Sequence, residues 1–101
     1  MKEARLIVPR HHQWQTVVEK RLTEAFGGFT LIFAHGGWKD KTGAFITEPV
    51  AVYDVAMDVT RDNRNKLMQI ARETMVALNQ EAVYVRLPSG DVLLVTRTMG
   101  Q

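Results

Sequence analysis

The chain has 101 residues, 46% of them hydrophobic, a length that accommodates one core and leaves no room for a second. Thirteen Lys/Arg against eleven Asp/Glu give a net charge of +2, too weak a field to select an acidic partner by itself. Without cysteine there is no disulfide framework, thiolate metal site or cysteine nucleophile, and no apolar run reaches the roughly 18 to 20 residues of a membrane span. The expectation is a cytoplasmic protein that needs no cofactor.

A first strand is expected over Arg5 to Val8, ended by Pro9, which lacks a backbone donor. From His11 the apolar letters Trp14, Val17, Val18, Leu22, Ala25 and Phe26 recur at the spacing of one helical face, so a helix is expected over 11 to 26. Gly27 and Gly28 stop it. Phe29 to Ala34 is a dense β-forming run, and His35-Gly36-Gly37-Trp38 reads as a kinked exit from that strand. Lys39 to Gly43 suits a hairpin loop.

Ala44 to Val59 is long for one strand, and Pro49 predicts a break or an edge near Glu48-Pro49. Alternation places Phe45, Ala51, Tyr53, Val55 and Met57 on one face and Ile46, Glu48, Val50, Val52 and Asp54 on the other. Both faces carry apolar residues, which suggests a second subunit on the face away from the helices and hence a homo-oligomer, a dimer or larger. A second helix is expected from Arg61 to Asn79, with Asp62 or Asn63 as N-cap and Leu67, Ile70, Ala71, Thr74 and Leu78 buried. Ala82 to Leu87 reads as a fourth strand, Pro88 to Asp91 as a turn, and Val92 to Thr98 as a fifth strand. The order predicts an α+β fold: a ferredoxin-like βαββαβ antiparallel sheet, two helices on one face, and an extra C-terminal hairpin strand.

Chemistry-bearing residues are sparse. His11 and His12, adjacent at a helix start, diverge by about 100° and suit solvent or capping better than a metal. His35 is the better acid/base candidate, with Trp38, Lys39, Glu48 and Tyr53 as companions in a cleft between helices and sheet, though a structural histidine is the simpler reading. The paired glycines match no phosphate-loop pattern, and Ser89 lies in an ordinary turn. Tyr53, Tyr84 and Arg86 with Arg61, Arg64 and Lys66 make at most a weak nucleic-acid surface, because no aromatic stacking motif is present. Met57, Met68, Met75 and Met99 suit core or interface packing.

Trp14, Phe26 to Leu31, Gly37-Trp38-Lys39, Thr42-Gly43, Thr47-Glu48-Pro49 and Gln80 to Val85 together resemble a family of small bacterial proteins, domain of unknown function 3574. The likeness runs from about Leu6 to Val95 and is densest from Phe26 to Glu48. It implies a ferredoxin-like fold, assigns no catalytic residue, and suggests that Gly37, Trp38 and Glu48 belong together around the hairpin. The leading expectation is a non-enzymatic module, of bacterial or phage accessory character, that self-associates through its sheet and binds a protein partner or small ligand. Two alternatives stand beside it: a cofactor-free dimeric enzyme using His35, and a weak nucleic-acid binder.

Overall fold

The computed structural model describes residues 1–96. In chain order the elements are β1 (Lys2–Pro9), α1 (His12–Phe26), β2 (Thr30–Lys39), β3 (Phe45–Met57), α2 (Arg61–Ala77), β4 (Ala82–Arg86) and β5 (Val92–Thr96). The strands form one antiparallel sheet in the order β2-β3-β1-β4-β5. This is the expected ferredoxin-like arrangement with an added hairpin strand. Thr98 and Met99, assigned above to the last strand and to packing, lie outside the described residues.

Period-two alternation decides which side chains face the helices. Ala4, Leu6 and Val8 from β1, Ala51, Tyr53, Val55 and Met57 from β3, and Val83, Val85 and Val95 from the β4–β5 hairpin join Val18 and Leu22 of α1 and Leu67, Ile70, Ala71 and Met75 of α2 in one core. Polar groups carried into this layer are satisfied. The Tyr53 hydroxyl donates to Glu19 at 2.7 Å, and the Trp14 indole N–H donates to Thr74 Oγ1 at 2.9 Å, tying the two helices together. Arg21 of α1 bonds Glu73 of α2 on the outer side of the same seam.

The helix ends show how local chemistry sets boundaries. His11 caps α1, its Nδ1 accepting from the Trp14 N–H at 3.1 Å, one of the two roles expected for it. Gly27 closes the helix in the left-handed region at φ 88°. For α2 the N-cap is Thr60, whose hydroxyl accepts from Asn63 N–H, and not Asp62 or Asn63. Thr60 holds the extended geometry that a cap requires, which leaves Asp62 in the first turn, where its charge favours the helix dipole. Leu78 is the C-cap of this helix and only half-buried, while Met68 and Met75 complete its buried stripe.

Three strand expectations are corrected. β1 begins at Lys2, because the whole of Lys2 to Pro9 is paired with β3. β2 passes through Gly36 and Gly37 without a break, paired residue for residue with β3 as far as Lys39. Finally, β3 runs through Pro49 uninterrupted. The Pro49 carbonyl accepts from Arg10 N–H at 3.0 Å, so its missing N–H points the same way, toward the end of β1 and not into the β2 ladder. The proline therefore removes half of one terminal rung and leaves the strand intact.

Candidate functional site

The even-numbered residues of β3 and the residues in register with them form the sheet face away from the helices. Ile46, Glu48, Val50 and Val52 lie along β3, Ile32 and Trp38 on β2, Ile7 on β1, Tyr84 on β4 and Leu94 on β5. Val50 and Val52 are each only 7% exposed in the single chain, so a second subunit is not required to bury them. Val52 is flanked in register by Ile7 and Ile32, and Val50 lies in the floor of a cleft.

The cleft comes from the β2–β3 hairpin. β2 is separated from β4 by two strands, yet Lys41 at the hairpin tip reaches Glu81 at the entry to β4, Nζ to Oε1 3.5 Å. The hairpin thus bends over the uncovered sheet face and encloses about 710 Å³ between itself and the sheet. Ile7, Val50, Ile46 and Leu94 supply apolar walls, Trp38 and Tyr84 aromatic ones. Asn79, Gln80, Glu81, Lys39 and Asp40 form the polar mouth. Gly36 sits where an added Cβ would lie 3.3 Å from Val50 Cγ1, so a side chain there would crowd the floor.

Glu48 is the ionisable group of the apolar part. Desolvation raises its carboxyl above the ordinary glutamate range, and it makes no hydrogen bond or ion pair among the described residues. The carboxylate is only part-buried and keeps access to water, so the penalty is small. It contrasts with Asp54 further along the same face of β3, whose two oxygens are held by Arg5 Nε at 2.7 Å and a terminal guanidinium nitrogen at 2.9 Å. The Arg5 hydrogen bond lowers the Asp54 carboxyl despite partial burial. Asp40 is also spoken for: its Oδ1 accepts from Thr42 Oγ1, Thr42 N–H and Ala44 N–H, building the hairpin turn.

The structure sorts the residues singled out from sequence. Trp38, Lys39, Glu48 and Tyr84 line the cleft. His35 and Tyr53 have the opposite parity and do not. His35 is exposed on the helix side of the hairpin, while Tyr53 is fully buried beneath α1, where burial pushes its hydroxyl up and Glu19 occupies it. Arg86 shares the face of Tyr84 but lies beside Arg5 and Asp54, beyond the cleft. Arg61, Arg64 and Lys66 belong to α2, on the other side of the sheet, and Lys66 pairs with Asp62 at 3.1 Å, so they do not join Tyr84 in one surface. The space between helices and sheet, where an enzyme cleft was expected, is filled by core. A shallower groove of about 460 Å³ lies instead on the helix layer, between Trp14, Gln69, Glu73 and Val76.

Sequence reasoning missed Ile7, Leu94 and the mouth residues Gln80 and Glu81. A signal for the last two existed: Gly37 to Lys39, Glu48 and Gln80 to Tyr84 carried the family resemblance from distant parts of the chain, and all three stretches meet at this cleft. Among the described residues no cluster of His, Asp or Glu has the arrangement to hold a metal ion, and no helix is long and apolar enough to cross a membrane.

Two solved structures of a phage SAM lyase share the fold. The complex with S-methyl-5'-thioadenosine aligns with a TM-score of 0.72 at 17% identity, covering 98% of this chain and 92% of the lyase chain. Its apo state aligns at 0.71 and 18% identity, covering 98% and 91%. No curated protein matches the sequence. Residues 6–91 match the family model described as protein of unknown function (DUF3574), and the chain belongs to that family.

Proposed function

We propose that the hairpin cleft binds a small organic cation, and that sulfonium compounds of the S-adenosylmethionine type are the first candidates. The observation that carries this is Glu48: a partly desolvated carboxylate without a partner among the described residues, in a cleft walled by Trp38, Tyr84 and aliphatic side chains. Such a site suits a soft, weakly hydrated cation, which gains from the carboxylate and from aromatic faces without requiring further acceptors. A sulfonium attached to an aromatic base fits these terms, with Trp38 and Tyr84 available for stacking. The phage enzyme of like fold is described as a SAM lyase, which makes this compound the natural first probe.

Of the expected module, small-ligand binding is the element the cleft favours. Catalysis is a second reading, supported by the enzyme of like fold and by Glu48 itself, since a carboxyl raised by desolvation is suited to accept a proton from a bound substrate. The acid/base role considered for His35 would then belong to Glu48.

Calorimetric titration of the purified protein with S-adenosylmethionine and with neutral S-methyl-5'-thioadenosine tests the proposal. The sulfonium is expected to bind more tightly, and Glu48→Gln to weaken it by about tenfold or more, ~1.4 kcal/mol, while affecting the neutral compound little. No binding of the sulfonium, or binding indifferent to Glu48→Gln, would refute the assignment. Chromatography of the same mixtures after incubation separates binding alone from turnover.

A further inference from the structure

The outer edge of the sheet carries an inference that does not depend on the ligand. β2 is an edge strand of ten residues, and natural edges are blunted by proline, inward charge, a bulge or a cover. Among the described residues β2 contains no proline, pairs with β3 without a bulge and places its one Lys at the very end, and the charge on its flank is the Arg10 guanidinium, 3.9 Å over the Phe33 ring on the helix side. Ile32, Phe33 and Trp38 on it are 49%, 50% and 41% exposed.

The direction of its free backbone groups follows from Pro49. Because the Pro49 carbonyl turns toward β1, the Pro49–His35 rung holds no backbone hydrogen bonds between β3 and β2. His35 therefore turns its N–H and C=O outward, away from the sheet, and by alternation so do Leu31, Phe33, Gly37 and Lys39. These are the groups that another strand would use.

We propose that β2 pairs antiparallel with β2 of a second copy of this chain, across a two-fold axis at His35. The edge is self-complementary in that register. Phe33, with the Arg10 guanidinium on its ring, faces the partner's Gly37, beside the Phe45 ring that lies over that glycine, and Ala34 faces the partner's Gly36. Ile32 faces the partner's Trp38, so two half-exposed apolar groups on the cleft side cover each other. Leu31 faces the partner's Lys39, whose alkyl stem packs while its ammonium stays in water. The outward N–H and C=O groups of all five odd residues then meet their counterparts, giving an isologous interface and a continuous sheet through both copies. Because Trp38 also lines the cleft, the partner's Ile32 would buttress one cleft wall and hold the hairpin over the sheet.

The register makes a sharp test, since the chain contains no cysteine. Opposed residues of a hydrogen-bonded antiparallel pair lie ~5.5 Å apart between Cα atoms, inside the range of a disulfide. Light scattering coupled to gel filtration is expected to give twice the chain mass at micromolar concentration. His35→Cys is expected to form a covalent dimer on mild oxidation, whereas Ala34→Cys, offset in this register and on the other face, is not. His35→Glu sets two carboxylates against each other at the axis and is expected to yield a monomer with an unchanged circular dichroism spectrum. A monomeric wild type, a dimer in which Ala34→Cys crosslinks and His35→Cys does not, or a folded His35→Glu protein that remains dimeric overturns the proposal. Should His35→Glu fail to fold, the two cysteine variants decide it alone.

Discussion

The two faces of the sheet are both rich in apolar side chains, yet they solve different problems. On the helix side each polar group brought into the core has a protein partner, Tyr53 with Glu19 and Trp14 with Thr74. On the other side the apolar residues line a cleft, and the carboxylate of Glu48 has no partner among the described residues. Burying a polar group costs little when it is paired and much when it is not. The first face is thus built for stability, and the second keeps a part-desolvated carboxylate, the group on which the proposed cation site rests.

Truncation should separate the faces most clearly. Leu67→Ala, removing a fully buried side chain of α2, is expected to lower the unfolding free energy by about 2–5 kcal/mol in urea titrations. Leu94→Ala, at a 57% exposed position in the cleft wall, is expected to cost well under ~1 kcal/mol in the same assay. Equal costs would erase the distinction.

The two carboxylates on the cleft side sharpen it, because they should respond to acid with opposite signs. Asp54 is held below the ordinary range, first by its Arg5 hydrogen bonds, so its contribution is complete above the unfolded carboxyl's pKa of ~3.9 and is lost as pH falls toward the folded value. Asp54→Asn is expected to cost about 1.5 kcal/mol at neutral pH, the low end for charge-assisted bonds because the Arg5 side chain is 30% exposed. Its deficit should shrink in acid. Glu48 is raised, so the native state binds its proton more readily than the unfolded chain, and stability attributable to it increases as pH falls through the folded value. Glu48→Gln is accordingly expected to stabilise the free protein at neutral pH, by less than ~1 kcal/mol, with the gain disappearing in acid. Thermal melts of both variants across pH read the signs directly, and a destabilised Glu48→Gln would mean that the carboxylate has a protein partner after all.

Much of the scaffold was legible in the sequence, because its determinants are local or periodic. The stripe of α1, the parity of β3 and the glycine stop at Gly27 each translate one residue spacing into one geometry, with the exception of Val17, which sits at the margin of the stripe and is exposed. The order of the first four strands followed from the sequence of elements, whereas the place of β5 beside β4 did not. Capping was harder: Thr60, Asp62 and Asn63 are all cap formers within one turn, and only the backbone conformation at Thr60 chooses between them. Pro49 was misread because the direction of its missing N–H depends on which neighbouring strand it faces, a tertiary fact.

The site was legible in pieces. Trp38, Lys39, Glu48 and Tyr84 were singled out individually, but nothing in their spacing shows a hairpin bending over the sheet to reach Glu81. Gly36-Gly37 allows a kink, a bulge or a smooth bend, and the pairing with β3 together with the Lys41–Glu81 contact selects among them. Tyr53 illustrates the reverse difficulty. A tyrosine in a strand reads equally as a binding group or as a core residue with its hydroxyl satisfied, and here Glu19 of α1 makes it the latter.

The most direct test of the cleft is a titration of the isotopically labelled protein with S-adenosylmethionine, followed by amide and indole resonances. The account predicts progressive shifts of the Trp38 indole and of the amides of Gly36, Gly37, Glu48 and Tyr84, with those of Gln69, Glu73 and Val76 on the helix layer unmoved. Shifts confined to the helix layer, or no shifts at saturating sulfonium, would contradict it.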